Sequence, residues 1–468
     1  MGNLDKKKGV KNVVVSIAFR LLLLVGAMVT RRFLIDYAGN ILNGLDSLYT
    51  SILGFLAVAE LGVGTAITFC MYKPIVDGDE EKVAALYGLF KKLYLIIGGV
   101  ILLAGCAVMP FLKFLVKDYE NVNVSLYLSF GIMLVSVVAT YLFSAKISLI
   151  NAYKNNYVAT AITSSGLLLQ YVLQIVVLVL TGSFYWYLFC RIVAVAAQWA
   201  ATELVCRKGY KNVISIKSRV DEETKKEVEK NVKAMFMHKI GTVLVNTVDS
   251  IIISAFIGAE ILGSYTNYVT IMIALMNTAA LFFTPLTSVI GHLYCKENKD
   301  GVNKYFNFFY AFNFILGVVL FLGYYAIIDD LVSLVYGANL VMDKSVSFVI
   351  TLNYFIQFMR QSALLFRDST GTFYYDRWKA LAESLVNLVL SIAFVYIWGV
   401  VGVIVATIIT NVFICHIVEP HVLYKYALAR PAKNYYIKNY ICIAVFTGAL
   451  FLLNFCLLSF DGVWKELI

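Results

Sequence analysis

Five arginines stand inside apolar stretches of this chain: Arg20, Arg31, Arg32, Arg191 and Arg360. Guanidinium supplies a permanent positive charge and a fork of N–H donors suited to planar anionic groups. Inside a membrane, an ionisable side chain costs about 2.5–3.5 kcal/mol on insertion scales, so each must meet a partner or a watery cavity. At 3.6 residues per turn, Arg20 and Arg31 face within about 20° of each other and are separated by about 16 Å along the axis. They form a cationic line on one side of a first helix, unless Arg31 snorkels to the outer interface. Arg32 points away from that line and stands four residues before Asp36, the spacing of a local ion pair.

Other polar groups fall at helical spacing too. His238, Thr242, Asn246 and Asp249 lie along one side of a later segment, and Asn353, Gln357 and Arg360 along one side of another. Arg191, Gln198 and Thr202 repeat the pattern. Such stripes face a bundle interior, where Asn and Gln commonly hydrogen-bond across helices. Asp249 is read either as an ion-coupling or gating carboxylate or as a buried acid bonded to a neighbouring helix. No nucleophile motif, phosphate-binding loop or dinucleotide fingerprint is present, and the four histidines include no HxxxH pair. The eight cysteines lack CxxC or CxxxC spacing and mostly lie in apolar runs, as small core residues rather than disulfides or metal ligands. The expectation is a protein that is not an enzyme and carries no cofactor or metal.

These residues must be positioned by membrane helices. Of the 468 residues, 60% are hydrophobic and only 15% charged, where a soluble chain would carry about 25% charged residues. Runs of roughly 20 apolar residues, the length that spans a hydrocarbon core, recur at 13–35, 45–72, 92–116, 123–148, 156–180 and 183–205. After a charged connector come 232–257, 261–292, 304–328, 345–366, 379–398, 400–423 and 436–459. The expected fold is an all-α polytopic membrane protein with about 13 transmembrane helices.

The net charge of +10 follows topology and does not point to nucleic acid. Lysines and arginines crowd alternate loops: ten lie between Arg207 and Lys239, whereas the opposite loops hold only Lys113, Lys117, Lys344 and Lys465. The positive-inside rule therefore places the N-terminus in the cytoplasm. The first run is too long for a signal peptide and lacks a cleavage site, so it reads as a retained span.

The chain also repeats itself. GNILNGLDSLYTSIL from Gly39 resembles GAEILGSYTNYVTIM from Gly258, an offset of 219–220 that also carries DGDEEKV onto KENKDGVNKY. Six spans separate equivalent points, so both halves enter the membrane in the same direction, and parallel repeats place a substrate site at their interface. The expected domains are a six-helix bundle over 1–205, a cytoplasmic connector over 206–231 and a second six-helix bundle over 232–424. A loop and thirteenth helix follow over 425–468. The connector reads as an amphipathic surface helix. At the repeat offset Arg20 aligns with Lys239, or with His238 after a one-residue slip, although Lys239 also suits an interfacial lysine. Gly62 and Gly64 break the second span and Pro285 the eighth; paired breaks of this kind mark a transporter's site or moving parts. Glu60 precedes the first break, either bracing it or binding an ion.

Several of these segments resemble the polysaccharide (Wzx-type) flippases of the multidrug/oligosaccharidyl-lipid/polysaccharide exporter superfamily. The resemblance is carried by RLLLLVGAMVTRRFLIDYAGN, FLAVAELGVGTAITFCMYKPIVDGDEEK, VNTVDSIIISAFIGAEILGSYTNY and MRQSALLFRDSTGTFYYDRWKALAESLVNLVLSIAFVYIWGVVGVIVATIIT, in order along nearly the whole chain. It implies two six-helix bundles around a central cavity. They would flip a polyprenyl-diphosphate-linked oligosaccharide to the outer leaflet of the cell membrane by alternating access, driven by an ion gradient of H+ or Na+. The resemblance also implies membrane lipids and other polysaccharide-assembly proteins as partners. A cationic cavity in that family matches Arg20, Arg31, Arg191 and Arg360, with Lys239, Asn353 and Gln357 as further substrate contacts and Asp249, Glu60 and His238 as coupling or gating groups. Relatives commonly carry a fourteenth span, so the expectation at DGVWKELI is either truncation or an incomplete lipid-side helix pair. The alternative is a cation-coupled multidrug exporter of the same superfamily.

Overall fold

The computed structural model describes residues 2–60, 63–117, 119–216, 247–283, 299–376 and 378–467, with isolated positions between 218 and 294. The chain is 92% helical and contains no strand among the described residues. Seven described helices are long and apolar enough to cross a membrane. Among the other expected spans, the second and the tenth are each divided between two helices. His238, Lys239, Gly62 and Pro285 lie outside the described residues, as do the first half of the seventh expected span and part of the connector.

The polypeptide divides into two compact units, Met1–Val243 with Gly258–Glu260 and Leu244–Ile257 with Ile261–Ile468. In the first unit, α1 (Gly2–Ala38) packs on α2 (Asn40–Leu56) and α7 (Asn156–Thr181). Helix α7 leans on α8 (Phe184–Gly209), α8 on α6 (Leu126–Ala152), and α6 on α4 (Glu80–Val108) and α3 (Val63–Asp77). Within the second expected span, α2 gives way to a 3-10 turn, Ala57–Glu60, and Gly64 lies in the first turn of α3. Tyr141 Oη donates to Glu60 Oε2 at 2.8 Å, so Glu60 braces this interruption against α6. Short helices α5 (Leu112–Leu115) and α9 (Lys211–Ser215) complete the unit.

The second unit holds α10 (Thr247–Phe256), α11 (Ala259–Phe283), α12 (Lys299–Tyr336) and α13 (Lys344–Met359). The expected tenth span is broken at Arg360, after which α14 (Gln361–Ser369) begins. Helix α15 (Lys379–Thr410) is interrupted at Gly399, whose φ of 58° and ψ of −132° separate the two adjacent spans read there. Two π-helical segments, Asn411–Cys415 and Leu423–Leu428, flank α16 (His416–Val422). The last helix, α17 (Lys433–Leu467), is pinned by polar contacts: Tyr310 Oη donates to Asn439 Oδ1 at 3.1 Å and Tyr325 Oη to Asn454 Oδ1 at 2.6 Å.

The internal repeat has a local structural signature. Gly39 and Gly258 precede α2 and α11 with φ of +97° and +137°, conformations that cost a side-chain-bearing residue strain. Ten residues into each repeat stands a fully buried tyrosine, Tyr49 and Tyr268. Tyr49 Oη donates to Leu126 O at 3.3 Å at the start of α6. Tyr268 Oη donates to Asp329 Oδ1 at 2.9 Å and accepts from Met342 N at 3.1 Å just before α13. Tyr268→Phe removes both bonds from a buried site. We expect it to destabilise the protein by about 1–3 kcal/mol, read as a lowered unfolding midpoint in detergent.

Candidate functional site

Helix α1 runs unbroken through Arg20 and Arg31, which preserves their shared face. Arg20 is exposed and Arg31 half-buried, with Arg31 Nη2 donating to Ser47 Oγ on α2 at 3.4 Å. Arg32 takes the other direction: its Nε donates to Asp36 Oδ2 at 2.6 Å, the local pair that the four-residue spacing predicts.

Next to Ser47, Asp46 receives Arg191 from α8, whose Nη2 donates to both carboxylate oxygens at 2.7 and 2.9 Å. Tyr171 on α7 and Tyr187 on α8 stand close enough to be influenced by Asp46, Arg31 and Arg191 together. Gly26 on α1 lets the Tyr171 ring approach, since a β-carbon there would lie 2.7 Å from it. The result is an Arg191–Asp46 ion pair with the Arg31 guanidinium gathered close by, set among apolar helices. Buried Arg191 Nε has no hydrogen-bond partner among the described residues, leaving a donor in reserve.

Asp46, Tyr171 and Tyr187 were absent from the residues singled out by sequence. Asp46 carried a usable signal, because a carboxylate inside an apolar span is as costly as an arginine. At the repeat offset of 219, Asp46 corresponds to Tyr265 and Arg31 to Ser250. The cationic cluster therefore has no counterpart at those positions in the second unit.

The second unit presents an acid instead. Thr407 Oγ1 on α15 lies 3.2 and 3.4 Å from the oxygens of Asp249 on α10, and Asn387 Nδ2 donates to Thr407 Oγ1 at 2.8 Å. Asn387 Oδ1 and Ser391 Oγ, one helical turn apart, are buried without hydrogen-bond partners among the described residues. Carboxylate, hydroxyl and amide oxygens gathered without a nitrogen ligand make a set suited to a hard cation or a proton.

The Asn353, Gln357 and Arg360 stripe turns inward on itself. Gln357 Nε2 donates to Asn353 Oδ1 at 3.3 Å. Arg360 grips Glu419 with two bonds, Nε to Oε2 at 3.1 Å and Nη2 to Oε1 at 2.6 Å, while Nη1 reaches Asn411 Oδ1 at 2.5 Å. Lys379 Nζ meets Glu419 Oε1 at 2.6 Å and Glu383 Oε2 at 3.1 Å. Two cations and two carboxylates thus neutralise one another where α13, α15 and α16 converge. Helical spacing identified the face of Arg360 but not Glu419, a partner 59 residues away.

No family model matches the sequence, and no curated protein matches it. Solved structures do match, over nearly the full chain. The inward-facing conformation of a MATE family multidrug resistance transporter of the MOP superfamily superposes with a TM-score of 0.62 at 11% identity, covering 94% of this chain and 98% of that one. The lipid II flippase MurJ superposes with a TM-score of 0.62 at 14% identity, covering 97% and 98%. A MOP superfamily transporter from Pyrococcus furiosus, described as having a binding pocket of reverse polarity, gives a TM-score of 0.53 at 12% identity, covering 96% and 97%. This chain has the fold of the MOP superfamily transporters. The solved proteins that share this fold include both a lipid flippase and multidrug transporters.

Proposed function

We propose that this MOP-fold protein flips a polyprenyl-diphosphate-linked oligosaccharide from the cytoplasmic to the outer leaflet of the cell membrane, for export of a surface polysaccharide. The observation that carries this reading is the Arg31–Asp46–Arg191 cluster, two guanidinium groups gathered near one carboxylate among apolar helices. Diphosphate is the anionic group that paired guanidinium donors hold best. Asp46 keeps Arg191 oriented, and an arriving phosphate competes for the same donors, with Arg191 Nε as an added contact. Arg20, further along α1, supplies a second cationic station on the path. Arg360 is kept in this proposal as an organiser of the substrate wall, since its own charge is already balanced.

In this reading Asp249 couples transport to an ion gradient, with Thr407, Asn387 and Ser391 as neighbouring ligands for Na+ or a proton. Asp249→Asn keeps the shape and removes the charge. We expect proteoliposomes of this variant to lose the dependence of transport on a Na+ or pH gradient and to slow at least tenfold, with substrate binding retained.

The same acid supports the second reading, a cation-coupled multidrug exporter. Deletion of the gene separates the two. Depleted surface polysaccharide with unchanged drug susceptibility supports the flippase, whereas increased susceptibility with normal polysaccharide supports the exporter.

A further inference from the structure

A cavity of about 700 Å³ opens at the lysine-rich end of the first unit, built from three segments that the transport reading does not use. Its walls are the turn between α6 and α7 (Tyr153 and Asn155), the end of α8 with the start of α9 (Lys208, Tyr210 and Lys211) and Glu80 at the start of α4. The floor is apolar: Ile150, Ala159 and Cys206 form a buried cluster onto which Val158, Val205 and Tyr210 pack. Tyr153 and Tyr210 meet edge to face with centroids 5.1 Å apart, and Asn155 Nδ2 donates to Tyr210 Oη at 2.7 Å. That bond occupies the Tyr210 oxygen as an acceptor and leaves its proton and Asn155 Oδ1 directed to other partners. Burial, and for Tyr153 also the nearby Glu80 carboxylate, raises both phenol pKa values, so the hydroxyls remain donors. The neighbouring Arg207 is tied to Glu203 at 2.9 Å, and Lys146 bonds the same carboxylate. The cationic contribution to the cavity therefore comes from Lys208 and Lys211.

We infer that this cavity is a second, surface binding site for a phosphate-bearing polyol headgroup at the membrane interface. The two lysines meet the phosphate, while Asn155, Tyr210 and Glu80 offer hydroxyl partners and the tyrosine pair an apolar face for the polyol carbons. The volume lies in the range of ligand sites, and basic pockets between helix ends on the lysine-rich side suit anionic headgroups. A phospholipid headgroup and a phosphorylated sugar share this chemistry. The inference does not depend on what the protein transports, because its test reads binding.

The full-length protein in neutral phosphatidylcholine nanodiscs is titrated with glucose 1-phosphate and with dihexanoyl phosphatidylglycerol. Glucose and dihexanoyl phosphatidylcholine serve as uncharged and zwitterionic controls. At least one phosphorylated probe is expected to bind saturably, and the tighter of the two names the source. Lys208→Gln with Lys211→Gln should weaken that binding at least tenfold. Lys433→Gln with Lys438→Gln, which removes equal charge from exposed positions of the second unit, should change it less than twofold. Tyr210→Phe should weaken it about threefold. All substituted lysines are exposed, so the variants fold. Equal losses in the two lysine pairs, saturable binding that survives loss of Lys208 and Lys211, or no saturable binding of either phosphorylated probe overturns the inference.

Discussion

Arg31→Ala is expected to abolish export of the surface polysaccharide while the protein accumulates in the membrane at its normal level. Charge-assisted hydrogen bonds contribute about 1.5–3 kcal/mol each, so losing even one phosphate contact weakens binding by about 10–100-fold. The loss at Arg31 is larger than one contact, because the remaining pair, Arg191 with Asp46, is electrically neutral. Arg31→Lys retains the charge without the fork and should keep partial output. Arg31 is half-buried and donates to Ser47 at 3.4 Å, so the amount of folded protein is read as a control. Polysaccharide output is measured beside the amount of protein in the membrane fraction. Normal output from Arg31→Ala would remove Arg31 from the mechanism.

Glu419→Gln is expected to have the largest effect on stability. Glu419 is fully buried and joins Arg360 on one side to Lys379 on the other. Removing its charge leaves two buried cations against Glu383 alone, and breaking a buried pair in this way costs about 3–5 kcal/mol. Denaturant-induced unfolding in detergent should show that loss. Adding Arg360→Met to Glu419→Gln removes one surplus cation and should recover part of it. A Glu419→Gln protein within about 1 kcal/mol of the parent would mean that the network does not organise the second unit.

Much of this architecture is legible in the sequence because it rests on local rules. Apolar runs of span length locate the helices, and the four-residue spacing is enough to pair Arg32 with Asp36. The repeat is readable because glycine is the residue that adopts the backbone needed before α2 and α11, and because a tyrosine recurs ten residues later. The charged partnerships are less legible. Arg191 reaches Asp46 across 145 residues and Arg360 reaches Glu419 across 59, so periodicity supplies each arginine's face and not the group waiting there. Their acidic partners did carry the general signal of a carboxylate within an apolar run. The π-helical segments flank α16, which contains Pro420, a residue that cannot donate to the helical ladder.

The account's central claim is most directly tested by reconstitution. Purified protein is placed in vesicles containing a fluorescent polyprenyl-diphosphate oligosaccharide, and a membrane-impermeant reductant reports the leaflet in which the label lies. The parent protein should transfer the lipid-linked saccharide between leaflets without lengthening it, and Arg31→Ala should not. Label that remains in its original leaflet while the same vesicles accumulate a cationic dye would contradict the flippase and establish the exporter in its place.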